Sequence, residues 1–132
     1  MMKYLIISHG HFADGLKESI EMIAGPSENL SSLCLLGDMS PDSFYEEILE
    51  YVKDGGQTFV FVDLLGGTPF NTLIQIIKEY ENVSFVTGAN LAMCLGVITD
   101  DSVTTLGEAV ALAKEYGAKS MVSKDDLIPK NA

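Results

Sequence analysis

Two rhythms of apolar and polar residues alternate along this chain. Short, nearly continuous apolar runs are separated by longer stretches in which apolar residues recur every three or four positions. The runs predict strands buried on both faces, and the spaced stretches predict amphipathic helices. Residues 2–8, containing KYLIIS, form the first run, which breaks off in Ser8-His9-Gly10-His11. Phe12, Leu16, Ile20 and Ile23 then share one helical stripe, stopped by Gly25-Pro26. Residues 33–36 predict a second strand. Ser40 as N-cap and Pro41 as first helical residue open a second helix, with Phe44, Ile48, Leu49 and Val52 on its apolar face.

Residues 58–64, TFVFVDL, make the most continuous strand. Gly66-Gly67-Thr68-Pro69 follows, with Thr68 as the expected cap of a helix that buries Phe70, Leu73, Ile74, Ile77 and Tyr80. Residues 83–87 predict a fourth strand, 90–97 a short helix, and 102–116 a longer one that ends at Gly117. Residues 119–123, KSMVS, are expected to add a last short strand, and the polar residues 124–132 a flexible tail. The order β-α-β-α-β-α-β-α-α-β implies an α/β fold, doubly wound, with a mainly parallel central sheet and helices on both faces.

Composition narrows the function classes. With 132 residues the chain suits a single domain, residues 1–132, and at this size roughly two-thirds of the unfolded surface can be buried. No apolar run approaches the ~18 residues that a membrane span needs. The apolar run at residues 4–7 is too short for the core of a signal peptide, so a cytoplasmic protein is expected. Cys34 and Cys94 lack CxxC spacing and read as small core residues. The net charge of −11 repels a phosphate backbone and argues against nucleic acid as a partner.

Ligands of open α/β sheets sit beyond the carboxyl ends of the strands. His9 follows the first strand, Asp63 closes the third, and Gly66-Gly67-Thr68 turns that strand into a helix. All three meet if the first and third strands are neighbours. An imidazole attacks through an unprotonated nitrogen, and a carboxylate on the other nitrogen fixes that tautomer. Helix-start amides favour an anion such as a phosphoryl group, and glycine lets the backbone approach it. The residues thus point to a phosphorylated histidine, His9, partnered by Asp63, with Gly66 and Gly67 letting the backbone approach and the Thr68 hydroxyl either capping the helix or touching a phosphoryl oxygen.

SHG after the first strand, together with VDLLGGTPFN after the third, resembles the enzyme IIA component of the mannose/fructose/sorbose-type bacterial sugar phosphotransferase system. HFADGLKESIEMIAG and TGANLAM extend the resemblance over nearly the whole chain. Ala92 departs from it, standing where the family often has proline. The resemblance implies a phosphorelay. His9 would accept a phosphoryl group from the histidine-containing phosphocarrier protein and donate it to the IIB component, which serves the membrane IIC/IID transporter during sugar uptake. It also implies a homodimer in which a C-terminal strand, here residues 119–123, can be exchanged, and a free-standing IIA protein that associates peripherally with the transporter. No cofactor or metal is expected. Alternatives are the phosphocarrier subunit of a dihydroxyacetone kinase system, a regulatory domain that senses phosphorylation, and a metal-dependent hydrolase using His9 and His11. No phosphate-binding loop of the nucleotide-binding types is present.

Overall fold

The computed structural model describes residues 1–130; Asn131 and Ala132, the end of the expected tail, lie outside the described residues. Four strands, β1 (Lys3–His9), β2 (Leu30–Leu35), β3 (Thr58–Val62) and β4 (Val83–Thr87), form one sheet. Their order is β2-β1-β3-β4 and every pair is parallel. The helices are α1 (Phe12–Ala24), α2 (Pro41–Val52), α3 (Thr68–Ile77), α4 (Leu91–Ile98), α5 (Leu106–Lys119) and the single turn α6 (Lys124–Leu127).

Strand alternation divides the core into two layers. On one face, Tyr4 and Ile6 of β1 and Phe59 and Phe61 of β3 pack with Leu16 and Ile20 of α1, Met93 and Val97 of α4, and Ala109 and Ala113 of α5. On the other, Leu5, Ile7, Val60 and Val62 meet Phe44, Ile48 and Val52 of α2 and Leu73 and Ile76 of α3. The central strands β1 and β3 are therefore apolar at nearly every position, which produced the continuous runs in the sequence. Phe59 and Phe61 meet edge to face at 5.1 Å, and Tyr4 stacks on Phe61 at 6.1 Å.

Several expectations change. Phe12 and Ile23 share the predicted stripe of α1, yet they are exposed at its two ends, while Leu16 and Ile20 between them are buried. Cys34, expected in the core, is only half-buried on the edge strand β2; Cys94 is fully buried. α5 begins later than expected because the Asp100 carboxylate accepts from both the backbone N–H and the hydroxyl of Ser102, holding a turn there. A capping box of Thr105 and Glu108 then starts the helix.

The strand expected over residues 119–123 does not form in the single chain: Lys119 is the last residue of α5, and Ser123 caps α6. Gly117, read as a helix stop, lies inside α5 and serves packing instead. A Cβ there would come within 2.9 Å of Met93 Cε on α4. Gly96 of α4 likewise admits the Tyr116 ring, so the two helices approach closely through a glycine on each. The tail expected to be flexible from residue 124 holds a helical turn, α6, with its own capping box of Ser123 and Asp126.

Candidate functional site

β1 and β3 are hydrogen-bonded neighbours, and the order β2-β1-β3-β4 makes the gap between them the switch point of the sheet: β1 leads to α1 on one face, β3 to α3 on the other. Ile7 pairs with Val62, and the Asp63 N–H donates to the Ile7 carbonyl at 3.2 Å, extending the ladder one step. Asp63 thus arrives beside His9, the last residue of β1. Asp63 Oδ2 accepts from the His9 backbone N–H at 2.9 Å and lies 2.8 Å from His9 Nδ1. One carboxylate oxygen holds both the backbone and the ring of the same histidine.

The Asp63 side chain is mostly buried at 15% exposure, whereas the His9 side chain is 47% exposed. Asp63 Oδ1 is buried without a hydrogen-bond partner, so the histidine takes the whole of what this carboxylate offers within the chain. An ionised carboxylate can only accept. The proton of a neutral His9 ring therefore sits on Nδ1, and Nε2 carries the lone pair.

Nε2 faces the start of α3. A Cβ built on Gly67 would stand 2.5 Å from His9 Cε1 and 2.9 Å from Nε2, so only glycine fits against this ring. Gly66, at φ +86°, makes the turn that brings Gly67 there. Gly67, not Thr68, is the N-cap: Thr68 is the first residue inside the helix, and Pro69 follows at the position where proline is tolerated. The expected cap fails because extended Gly67, at φ −79° and ψ 176°, already occupies the half-in position. No side chain caps α3. α1 likewise has no side-chain hydrogen bond from its N-cap residue, His11, whereas the remaining helices are capped. Ser40, Asn90, Thr105 and Ser123 cap α2, α4, α5 and α6, and Ser8 Oγ accepts from Ala13 N–H in the first turn of α1 at 2.7 Å. α3 thus presents N-terminal amides that no side chain caps, and it presents them beside His9.

His11 stands apart from this group. It is exposed, and its nearest charged partner is Asp14, 3.9 Å away, not His9 or Asp63. The H-x-H pair does not converge on one point, because Gly10, at φ +57°, turns the chain between the two histidines. The sequence reading also passed over Ser8, a fully buried hydroxyl whose capping of α1 fixes where the histidine loop leaves the sheet. A serine just ahead of a helix start was the available signal. Around the site, Leu64 and Leu65 are exposed, and Phe12 lines a groove of about 560 Å³ with Leu16, Ala89 and Leu91. No helix among the described residues is long and apolar enough to cross a membrane.

The chain is similar to known proteins over most of its length. The family profile described as "PTS system fructose IIA component" matches residues 3–114. The fructose-specific EIIA component of Bacillus subtilis is 30% identical over 102 residues, covering 75% of this chain and 70% of that protein. The sorbose-specific EIIA component of Lacticaseibacillus casei is 23% identical over 99% of this chain and 96% of its own. Among solved structures, the phosphotransferase system component EIIA of Streptococcus agalactiae superimposes with a TM-score of 0.90 at 28% identity, covering 96% of this chain and 99% of that one. The paired His9 and Asp63, the Gly-Gly-Thr-Pro helix start and the parallel sheet that joins them therefore belong to a member of the mannose-type EIIA family of the sugar phosphotransferase system.

Proposed function

We propose that this protein is a phosphorelay intermediate of sugar uptake. His9 accepts a phosphoryl group from the phosphohistidine of the small histidine-containing phosphocarrier protein and passes it to a IIB component. The observation that carries this reading is the placement of His9: Nδ1 is held by Asp63 at 2.8 Å, and Nε2 lies beside a helix start left without a side-chain cap.

Transfer follows from that placement. The Nε2 lone pair attacks phosphorus, a new P–N bond forms, and the donor's P–N bond breaks with its electron pair returning to the donor imidazole. The Nδ1 proton stays on His9, hydrogen-bonded to Asp63, whose charge stabilises the positive ring that attack creates. Transfer of this kind depends mostly on positioning and on neutralising the phosphoryl oxygens. Backbone amides at the start of α3 and the Thr68 hydroxyl supply those donors, and the helix dipole adds about 0.3–1 kcal/mol. The second transfer, to IIB, runs the same step in reverse. Half-exposure of His9 suits a group that two proteins must reach in turn, and exposed Leu64, Leu65 and Phe12 offer apolar surface around it. The protein works in this reading as a homodimer in the cytoplasm, next to the membrane transporter.

The test is reconstitution with phosphoenolpyruvate, enzyme I and the phosphocarrier protein. One acid-labile phosphate per chain is expected in the wild type, with none in His9→Ala. Equal labelling of His9→Ala would overturn the assignment. Discharge onto a IIB component, and not onto a dihydroxyacetone kinase, separates the sugar branch from its nearest rival.

A further inference from the structure

We propose that His11, Asp14 and Cys34 form a binding site for a borderline-soft divalent cation of the zinc type, separate from the His9 centre. One ligand atom from each residue lies within 4.8 Å of the other two. Around tetrahedral zinc, nitrogen, oxygen and sulfur ligands at their usual bond lengths stand about 3.5 Å apart. Closing the remaining gap takes a small swing of the exposed His11 ring, since Asp14 and Cys34 are set by α1 and β2.

Several features distinguish this cluster from scattered surface polarity. His11 and Asp14 are three residues apart at the start of α1 and so share a face, with Nδ1 and Oδ2 3.9 Å apart. Cys34 reaches the same point from β2, two residues beyond Ser32 and therefore on the same side of that strand. The Ser32 hydroxyl donates to Asp14 Oδ1 at 2.7 Å. This bond orients the carboxylate and leaves Oδ2 turned toward His11, the outer-shell support that metal-binding carboxylates commonly have.

The donor set names the cation class. Imidazole and thiolate favour zinc-like ions over magnesium or calcium, which prefer oxygen. Three protein ligands leave a fourth position for solvent. The acidic side chains Glu18 and Glu21 line the groove that runs on from Asp14, and its one lysine, Lys17, is paired to Glu21 at 3.0 Å. Binding forms a metal–sulfur bond and releases the Cys34 thiol proton to solvent. Cys34 is half-buried, so binding works against some desolvation. Cys94 does not compete, because burial pushes its thiol up to about 12.

Cobalt(II) titration of the folded chain tests this, with circular dichroism as the check on folding for each variant. A thiolate-to-cobalt charge-transfer band with the visible bands of four-coordinate cobalt is expected, and zinc should displace it. Cys34→Ser and Cys34→Ala, two independent thiol-free variants, should abolish the charge-transfer band. His11→Ala and Asp14→Asn should each weaken binding at least about tenfold, and Ser32→Ala by about 10-fold. His9→Ala should bind as the wild type does. The proposal is overturned if no band forms in the wild type, if the band survives loss of Cys34, or if His9→Ala removes it, which would move the cation to the two histidines.

Discussion

At the scale of single residues, the site depends on two side-chain identities that nothing else in the chain can replace. Asp63 Oδ2 serves the His9 backbone and ring together. In Asp63→Asn a neutral amide oxygen replaces the charged acceptor. A hydrogen bond to a charged group is worth about 1.5–3 kcal/mol, so in the proposed relay phosphorylation of His9 is expected to slow roughly 10- to 100-fold. Rapid-quench labelling checks this, and thermal unfolding should show the fold intact. Gly67 is required for a steric reason. The methyl group of Gly67→Ala would overlap the His9 ring edge at 2.5 Å. Gly67 has φ −79°, which alanine adopts without strain, so the backbone accepts the change and the ring must move. If His9 is the phosphorylated residue as proposed, loss of most labelling with nearly wild-type stability is expected. Full activity in this variant would show that the ring need not sit against α3.

At the scale of elements, capping explains where most of the helices start and why the start of α3 is left open. α5 is the clearest case of a closed start. Glu108 accepts from the backbone N–H and hydroxyl groups of both Thr104 and Thr105, and these bonds, those from Thr104 foremost, hold its carboxyl below the ordinary glutamate range. A carboxyl lowered by folding contributes stability that is complete above its unfolded pKa and is lost as pH falls through its folded one. The wild type is therefore expected to be more stable than Glu108→Gln at neutral pH, with the difference shrinking as pH drops below the ordinary glutamate range. Thermal melts across that range would expose a constant difference if the argument is wrong. α3, by contrast, begins at a glycine with no side chain to offer, which leaves its N-terminal amides without a side-chain cap.

On the scale of the whole molecule, two core layers pack against the two faces of β1 and β3, whose carboxyl ends carry the site. Phe44 is fully buried in the α2–α3 layer beneath Leu5 and Ile7. Its removal in Phe44→Ala is expected to cost about 3–5 kcal/mol, read as a lower urea midpoint. A loss well under that would mean the layer collapses around the gap. Much of this architecture was legible in the sequence: the continuous runs of β1 and β3, the Ser40-Pro41 start of α2, and the α/β alternation all stand as expected. The C-terminal part was not. Gly117 reads as a helix stop when only its neighbours in the chain are considered, and its actual role appears only when Met93 is packed against it.

The candidate site divides in the same way. Sequence alone determined which residue types lie at strand ends and helix starts, because turn chemistry and apolar periodicity are local properties of the backbone and its side chains. It therefore placed His9, Asp63, Gly67 and Thr68 at the carboxyl edge of a parallel sheet. Only the tertiary structure decided that β1 and β3 are neighbours, that one Asp63 oxygen binds His9 twice, that Gly67 and not Thr68 is the cap, and that His11 turns toward Asp14 and Cys34. Those outcomes depend on strand order and on side chains meeting across 54 residues of chain in one case and 23 in the other. Contacts of that kind are set by packing, which no local pattern encodes.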